Sequence, residues 1–228
     1  MYKKLDGELA LKMLLDGNQR FATSMRQYPH QTDSRRAYIA ERQEPFAAIV
    51  SCADSQVPIE HIFDWGMGDL YVIRVAGNII DHSVLASVEY AIDYLQIPLV
   101  MVLGHNDCGA LKAALAHSYT EGFIDNLVNE VRPAIQMVKN QNNGKRLENA
   151  VKANVQLALG KLKTKSRIVQ KALSRKTLNI TGAYFDLKSG EICQISEPLN
   201  SKETNTSTFA FLRELALSFR LSIENKNF

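Results

Sequence analysis

Two short, unbroken apolar runs constrain this chain more than any other feature. Phe46-Ala47-Ala48-Ile49-Val50 follows Pro45, and Leu99-Val100-Met101-Val102-Leu103 follows Pro98. Neither alternates polar with apolar residues, so each predicts a strand buried on both faces. A third candidate, Leu70-Tyr71-Val72-Ile73, comes after the turn signal Gly66-Met67-Gly68-Asp69. Ser83 is a good N-cap for a helix through Leu95, since Val84, Val88, Ala91, Ile92 and Leu95 recur at helical spacing. Strands that alternate with helices define the α/β class: here a mostly parallel sheet of four to five strands flanked by helices.

The remaining segments fit around that sheet. Residues 1–42 read as an N-terminal helical arm, opened by Leu9, Leu11 and Met13-Leu14-Leu15. Residues 121–178 read as wholly helical apart from the turn Gln141-Asn142-Asn143-Gly144. A further strand is expected at Ile180–Phe185, then the turn Lys188-Ser189-Gly190 and a short pairing run from Glu191 to Ile195. Polar residues 196–208 predict a loop, and 205–228 a C-terminal helical segment whose amphipathic pattern runs from Phe209 to Ile223. With no internal repeat, 1–228 parses as a single domain.

Bulk properties exclude several function classes. A net charge of +3 over 228 residues is too small to argue for nucleic acid or an anionic membrane, and no basic stripe with interleaved aromatics appears. The basic stretch 161–176 reads as a solvated helix face, because Leu162, Ile168, Val169 and Leu173 form an apolar stripe behind it. No run approaches the roughly 20 apolar residues of a membrane span, and the N-terminus lacks a signal-peptide pattern. The expectation is therefore a cytoplasmic protein. Three cysteines, an odd number for a disulfide scaffold, then mean packing, metal or catalysis.

The chemistry gathers where strands end. Cys52-x-Asp54 follows the first apolar run, and His105-x-x-Cys108 follows the third predicted strand. In a parallel sheet both pairs emerge on one rim, where ligands collect. Two thiolates and an imidazole suit zinc better than magnesium or calcium. Three protein ligands leave a fourth position open, and zinc with an open position makes hydroxide available near neutral pH. Asp54 is the ambiguous member: it either closes the shell or stands aside.

The segments CADS, GDLYVIRVAGN (68–78), ASVEYA (86–91), LGHNDCGALKA (103–113) and TGAYFDLKSGE (181–191) together resemble the β-class carbonic anhydrases, over about residues 8 to 195. That resemblance implies a homodimer or dimer of dimers whose N-terminal helices wrap the partner. It also implies reversible hydration of carbon dioxide to bicarbonate and a proton by zinc-bound hydroxide. By the same resemblance, Cys52, His105 and Cys108 correspond to the permanent zinc ligands of one Zn2+ per subunit, and Asp54 to the family's switchable carboxylate. Gly109 would offer a backbone N–H to bound bicarbonate. Gln43, Tyr71 and Tyr90 would line the substrate pocket, partly from the neighbouring subunit. Ile49 stands where a bicarbonate-inhibited subgroup has tryptophan, so no such allosteric site is expected.

Gln56 departs from the family pattern, which reads Cys-x-Asp-Ser-Arg. A glutamine amide carries no charge and clamps Asp54 more weakly than a bidentate arginine. Three outcomes compete: activity with a raised pH threshold, support from another cation such as Arg74, or lost activity. Replacing Gln56 by arginine is expected to raise turnover near neutral pH. The rival readings are a carbonyl sulfide or carbon disulfide hydrolase on the same scaffold, and a catalytically silent zinc-binding homologue.

Other residues read more plainly. His61 and His82 are candidates for surface or proton-transfer roles, with the surface role preferred. His30 and His117 look like ordinary surface residues, Cys193 like a packed thiol in an edge strand, Trp65 like a packing anchor and Arg74 like a structural residue. Gly66-x-Gly68 is too short for a dinucleotide fingerprint.

Overall fold

The sheet order follows from the apolar runs. In the computed structural model, which describes residues 5–116, 122–141 and 144–195, five strands form one sheet. They are β1 (Ala47–Ser51), β2 (Leu70–Arg74), β3 (Leu99–His105), β4 (Asn179–Phe185) and β5 (Ile192–Gln194), in the order β2-β1-β3-β4-β5. The first four are parallel, and β5 pairs antiparallel with β4. β1 and β3 are buried at every residue, as their unbroken apolar character requires. The mostly parallel α/β sheet expected from sequence is the observed one.

The helices are α1 (Gly7–Ala22), α2 (Asp33–Glu41), α3 (Ile59–Ile62), α4 (His82–Asp93), α5 (Gly109–Leu115), α6 (Ile124–Met137), α7 (Arg146–Lys165) and α8 (Arg167–Ser174). Ala48, Val50, Val100 and Val102 project to one face, against α4, α8 and Val155 of α7. Ala47, Ile49, Leu99, Met101 and Leu103 project to the other, against α1 and α3. This is the two-residue period of a strand with both faces covered. Beyond the carboxyl ends of β1 and β3, α5, α6 and α7 pack a third apolar cluster that includes Cys52 and Cys108.

Helix α7 can reach the sheet because two strand residues lack side chains. A Cβ on Gly104 would lie 2.7 Å from Val151 Cγ1, and one on Gly182 would lie 2.7 Å from Val155 Cγ1. The sheet and α7 meet through backbone, and that contact seats α7 directly beneath the end of β3.

Several expectations are corrected. The N-cap of α4 is Asp81, whose carboxylate accepts from Val84 N at 2.8 Å, so Ser83 lies inside the first turn. An aspartate two residues back competes successfully with serine for that role. The helical middle breaks at Ser166, which caps α8 by accepting from Val169 N. Alongside these corrections, helix α1 packs on the sheet of its own chain, where Ala10 and Leu14 are fully buried and Asn18 bonds Ile62 O, Gly190 O and Ile192 N. In the arm, α2 alone buries no residue on its own chain. Cys193 is exposed rather than packed, and it sits on β5, an edge strand of the sheet among the described residues. His30 is more than a surface residue: its Nδ1 lies 2.8 Å from the Asp69 carboxylate, which Arg35 also engages at 3.0 Å. Those partners are 34 and 39 positions apart in sequence from Asp69, so local pattern could not reveal them. His117 and the proposed helix in 205–228 lie outside the described residues. No helix among the described residues is long and apolar enough to cross a membrane.

Candidate metal centre

Parallel pairing decides which side chains meet. Ser51 is in register with Leu103, so β1 and β3 end together and Cys52 and His105 arrive on the same rim. The turn after β3 is pinned to β4: Asn106 N donates to Phe185 O at 3.2 Å, and Asn106 Oδ1 accepts from Leu187 N at 2.8 Å. Asp107 takes a left-handed φ of 61°, and the chain doubles back to place Cys108 at the head of α5. The result is a triad in which the ligand atoms of Cys52, His105 and Cys108 all lie within 4.8 Å of one another, all three residues buried.

The triad's own chemistry fits a cation. A hydrogen bond from the Cys108 thiol is the main reason the Cys52 thiol falls to about 4; burial opposes it, and His105 and the backbone N–H groups of Asp54 and Gly77 assist. The Cys108 thiol is pushed far up, chiefly because it supplies that hydrogen bond and is buried. The two sulfurs thus hold one proton between them, which a divalent ion can replace. His105 is fully buried, and beyond the neighbouring Cys52 sulfur neither ring nitrogen has a partner, or a well-formed hydrogen bond, among the described residues. An imidazole orphaned in this way is costly unless something else takes its lone pair. A metal ion at the centre of the triad would take it.

The loop around Cys52 is held by main-chain contacts. Gly77 N donates to Cys52 Sγ at 3.3 Å, from a short turn at 76–78 in which Gly77 has φ 67°. Asn154 of α7, itself buried, donates from Nδ2 to Gly77 O at 2.8 Å. Neither residue was picked out from sequence. The available signal was a polar asparagine within the buried stripe Val151, Val155 and Ala158 of α7.

Asp54 stands outside the mutual 4.8 Å set. Its Oδ1 accepts from Gln56 N at 2.9 Å, a turn closed on its own loop. The Gln56 side chain is exposed and makes no hydrogen bond to Asp54 among the described residues. Arg74, at the end of β2, donates from Nη2 to Asp54 O at 2.6 Å and from Nε to Cys52 O at 3.3 Å. Arg74, one candidate support for the Asp54 carboxylate and read otherwise as structural, grips the Asp54 carbonyl instead.

Within one chain, the other expected pocket residues do not all converge on the triad. Gly109 opens α5 beside Cys108, and a Cβ there would meet nothing within 4 Å, so the space over it is free. Tyr71 pairs with Ala48, near the opposite end of β1 from Cys52, and packs with Tyr90 at 6.3 Å between ring centroids. Gln43 precedes β1 and is exposed, again at the far end of the strand. A cavity of about 410 Å3 opens elsewhere, beside α3, lined by Tyr28, His61, Asp64, Trp65 and Leu70; it includes no triad residue.

Fold and site together define an α/β protein with a buried cysteine–histidine cluster, suited to hold a metal ion, at the carboxyl rim of its sheet. The sequence model of the family described as carbonic anhydrase matches residues 47–192. The carbonic anhydrase of Mycolicibacterium smegmatis is 36% identical over 187 residues, covering 80% of this chain and 90% of that protein. The β-carbonic anhydrase of Coccomyxa, solved in complex with acetazolamide, superposes with a TM-score of 0.66 at 27% identity, over 83% of this chain and 87% of that one. A tetrameric β-carbonic anhydrase of Sordaria macrospora shares the fold with a TM-score of 0.67 at 23% identity, over 82% and 96% of the two chains. The chain belongs to the β-carbonic anhydrase family of enzymes.

Proposed function

We propose that the chain holds one zinc ion through Cys52, His105 and Cys108 and catalyses the reversible hydration of carbon dioxide to bicarbonate and a proton. The observation that carries this reading is the buried triad within 4.8 Å with the Asp54 carboxylate held outside it. Three protein ligands with a free fourth position are the pattern of catalytic zinc, whereas a structural site is closed by four. The chemistry the ion supplies when bound is Lewis acidity, which brings a water molecule's pKa to about 7.

The chain's residues do the rest. Cys52 and Cys108 supply two negative charges that balance a divalent ion, and His105 supplies a neutral imidazole. Gly77 N–H steadies the Cys52 sulfur, and Asn154 holds Gly77 in place. Asp54, kept on its own loop by Gln56 N, is the acceptor for a proton-bearing group at the open position. Gly109 borders the free space where bicarbonate would sit. Gln43, Tyr71 and Tyr90 lie away from their own triad, so their contribution to the pocket calls for a second copy of the chain, in a homodimer or dimer of dimers. Cysteines that form no disulfide among the described residues fit a cytoplasmic setting.

Stopped-flow hydration of carbon dioxide by the zinc-loaded protein tests the proposal, with Cys108→Ser and the chelated protein as controls. A zinc-dependent rate that both controls lose supports it. A loaded protein no faster than its controls overturns it.

A further inference from the structure

Position 56 does not supply a charged clamp, yet Asp54 still stands off the triad, so something else fixes the loop. Two features of the loop are already satisfied by the backbone. Val57 N donates to Asp54 O at 3.1 Å, and Gln56 N to Asp54 Oδ1 at 2.9 Å. These bonds shape a turn but do not anchor it to the sheet. The anchor comes from the neighbouring strand: Arg74 donates to Asp54 O at 2.6 Å and to Cys52 O at 3.3 Å, bridging the residues on either side of Ala53. Arg74 is in register with Ser51, and Val75 N continues the ladder to Ser51 O at 3.0 Å. The guanidinium is thus delivered by paired backbone, with a planar fork suited to two acceptors at once.

We propose that Arg74 is the positioning residue that keeps the Asp54 carboxylate off the metal position, by fixing the carbonyls of Cys52 and Asp54 to the end of β2. This rests on the zinc reading above and deepens it: the clamp acts through the main chain from position 74 rather than through the carboxylate from position 56. With Arg74 removed, the peptide between Cys52 and Asp54 is free to turn, and the carboxylate of Asp54, two residues from Cys52, can swing in to close the shell.

The test uses cobalt(II) in place of zinc and thiocyanate as a probe of an open coordination position, read from the visible spectrum at one fixed pH. The unaltered protein should respond to thiocyanate. Arg74→Ala should need about tenfold more thiocyanate, or fail to respond, since hydrogen bonds from a charged donor are the stronger kind and each tenfold step is a modest free-energy change. Arg74→Ala combined with Asp54→Ala should regain the response, which a merely misfolded site could not do. An Arg74→Ala protein that responds like the unaltered one overturns the role of Arg74, and so does a double variant that stays silent. An unaltered cobalt protein that ignores thiocyanate overturns the open-site reading itself, a distinct result.

Discussion

Asn154 gives the sharpest lever on the metal centre from outside it. Its side chain is buried and donates to Gly77 O at 2.8 Å, while Gly77 N donates to Cys52 Sγ. Asn154→Ala removes the donor but leaves the Gly77 carbonyl buried, at a cost of about 1–3 kcal/mol for an unsatisfied group. For a urea dependence of about 2 kcal/mol/M, the midpoint of the metal-free protein should fall by about 0.5–1.5 M. A second effect should appear in metal binding. Gly77, at φ 67°, is no longer fixed from below, and its N–H drifts from the sulfur. Loss of such outer support commonly lowers metal affinity about 10–100-fold. Zinc competition against a chromophoric chelator measures that directly. Asn154→Asp should be worse than alanine, because it sets a carboxylate oxygen against the same carbonyl. Lower stability with zinc affinity unchanged within about twofold would refute the link from Asn154 to Cys52, since the expected loss is tenfold or more.

Other outcomes follow from the same geometry. Gly104→Ala should destabilise the fold by about 1–3 kcal/mol, as its Cβ would crowd Val151 and Val155 of α7; urea unfolding checks it. Burial raises the Asp64 carboxyl, but hydrogen bonds from Gln27 N, Arg20 and Tyr28 N outweigh that and hold it below the usual carboxylate range. A lowered folded value gives stability that is present above the unfolded value near about 4 and lost as pH falls through the folded one. The urea midpoint should therefore drop on acidification below about pH 4, and Asp64→Asn should flatten that limb. Chelating the metal should lower the melting temperature, because His105 is left buried without a partner. Gln56→Arg should raise turnover near neutral pH only modestly, since Arg74 already holds the loop; a fall in stopped-flow rate at matched zinc content would show that Gln56 is adapted to its site.

The triad was legible because chemistry and topology agreed. Apolar runs fixed β1 and β3, and parallel pairing forced the residues that follow them onto one rim. Cys52, His105 and Cys108 needed no side-chain detail to be placed together. What escaped the sequence were contacts carried by backbone or by distant partners. Gly77 acts through its backbone carbonyl and N–H, which leave no residue-type signature, and Asn154 shows only as a polar residue in a buried stripe, its target 77 positions away. Arg74 was noticed as a charge, but its grip on two carbonyls depends on the register of β2 with β1. The direction of α1, the exposure of Cys193 and the partnership of His30 with Asp69 likewise depend on which elements share an edge or face.

The central claim is that this Cys52–His105–Cys108 site, loaded with zinc, turns over carbon dioxide. Isotopic oxygen exchange between labelled carbon dioxide and water, followed at chemical equilibrium from about pH 6.5 to 9 around the expected water pKa, tests it most directly. The zinc-loaded chain should deplete the label well above the uncatalysed rate, increasingly so as pH rises, and Cys108→Ser should not. Label loss at the uncatalysed rate across that range, in a protein shown to carry one zinc per chain, would contradict the account.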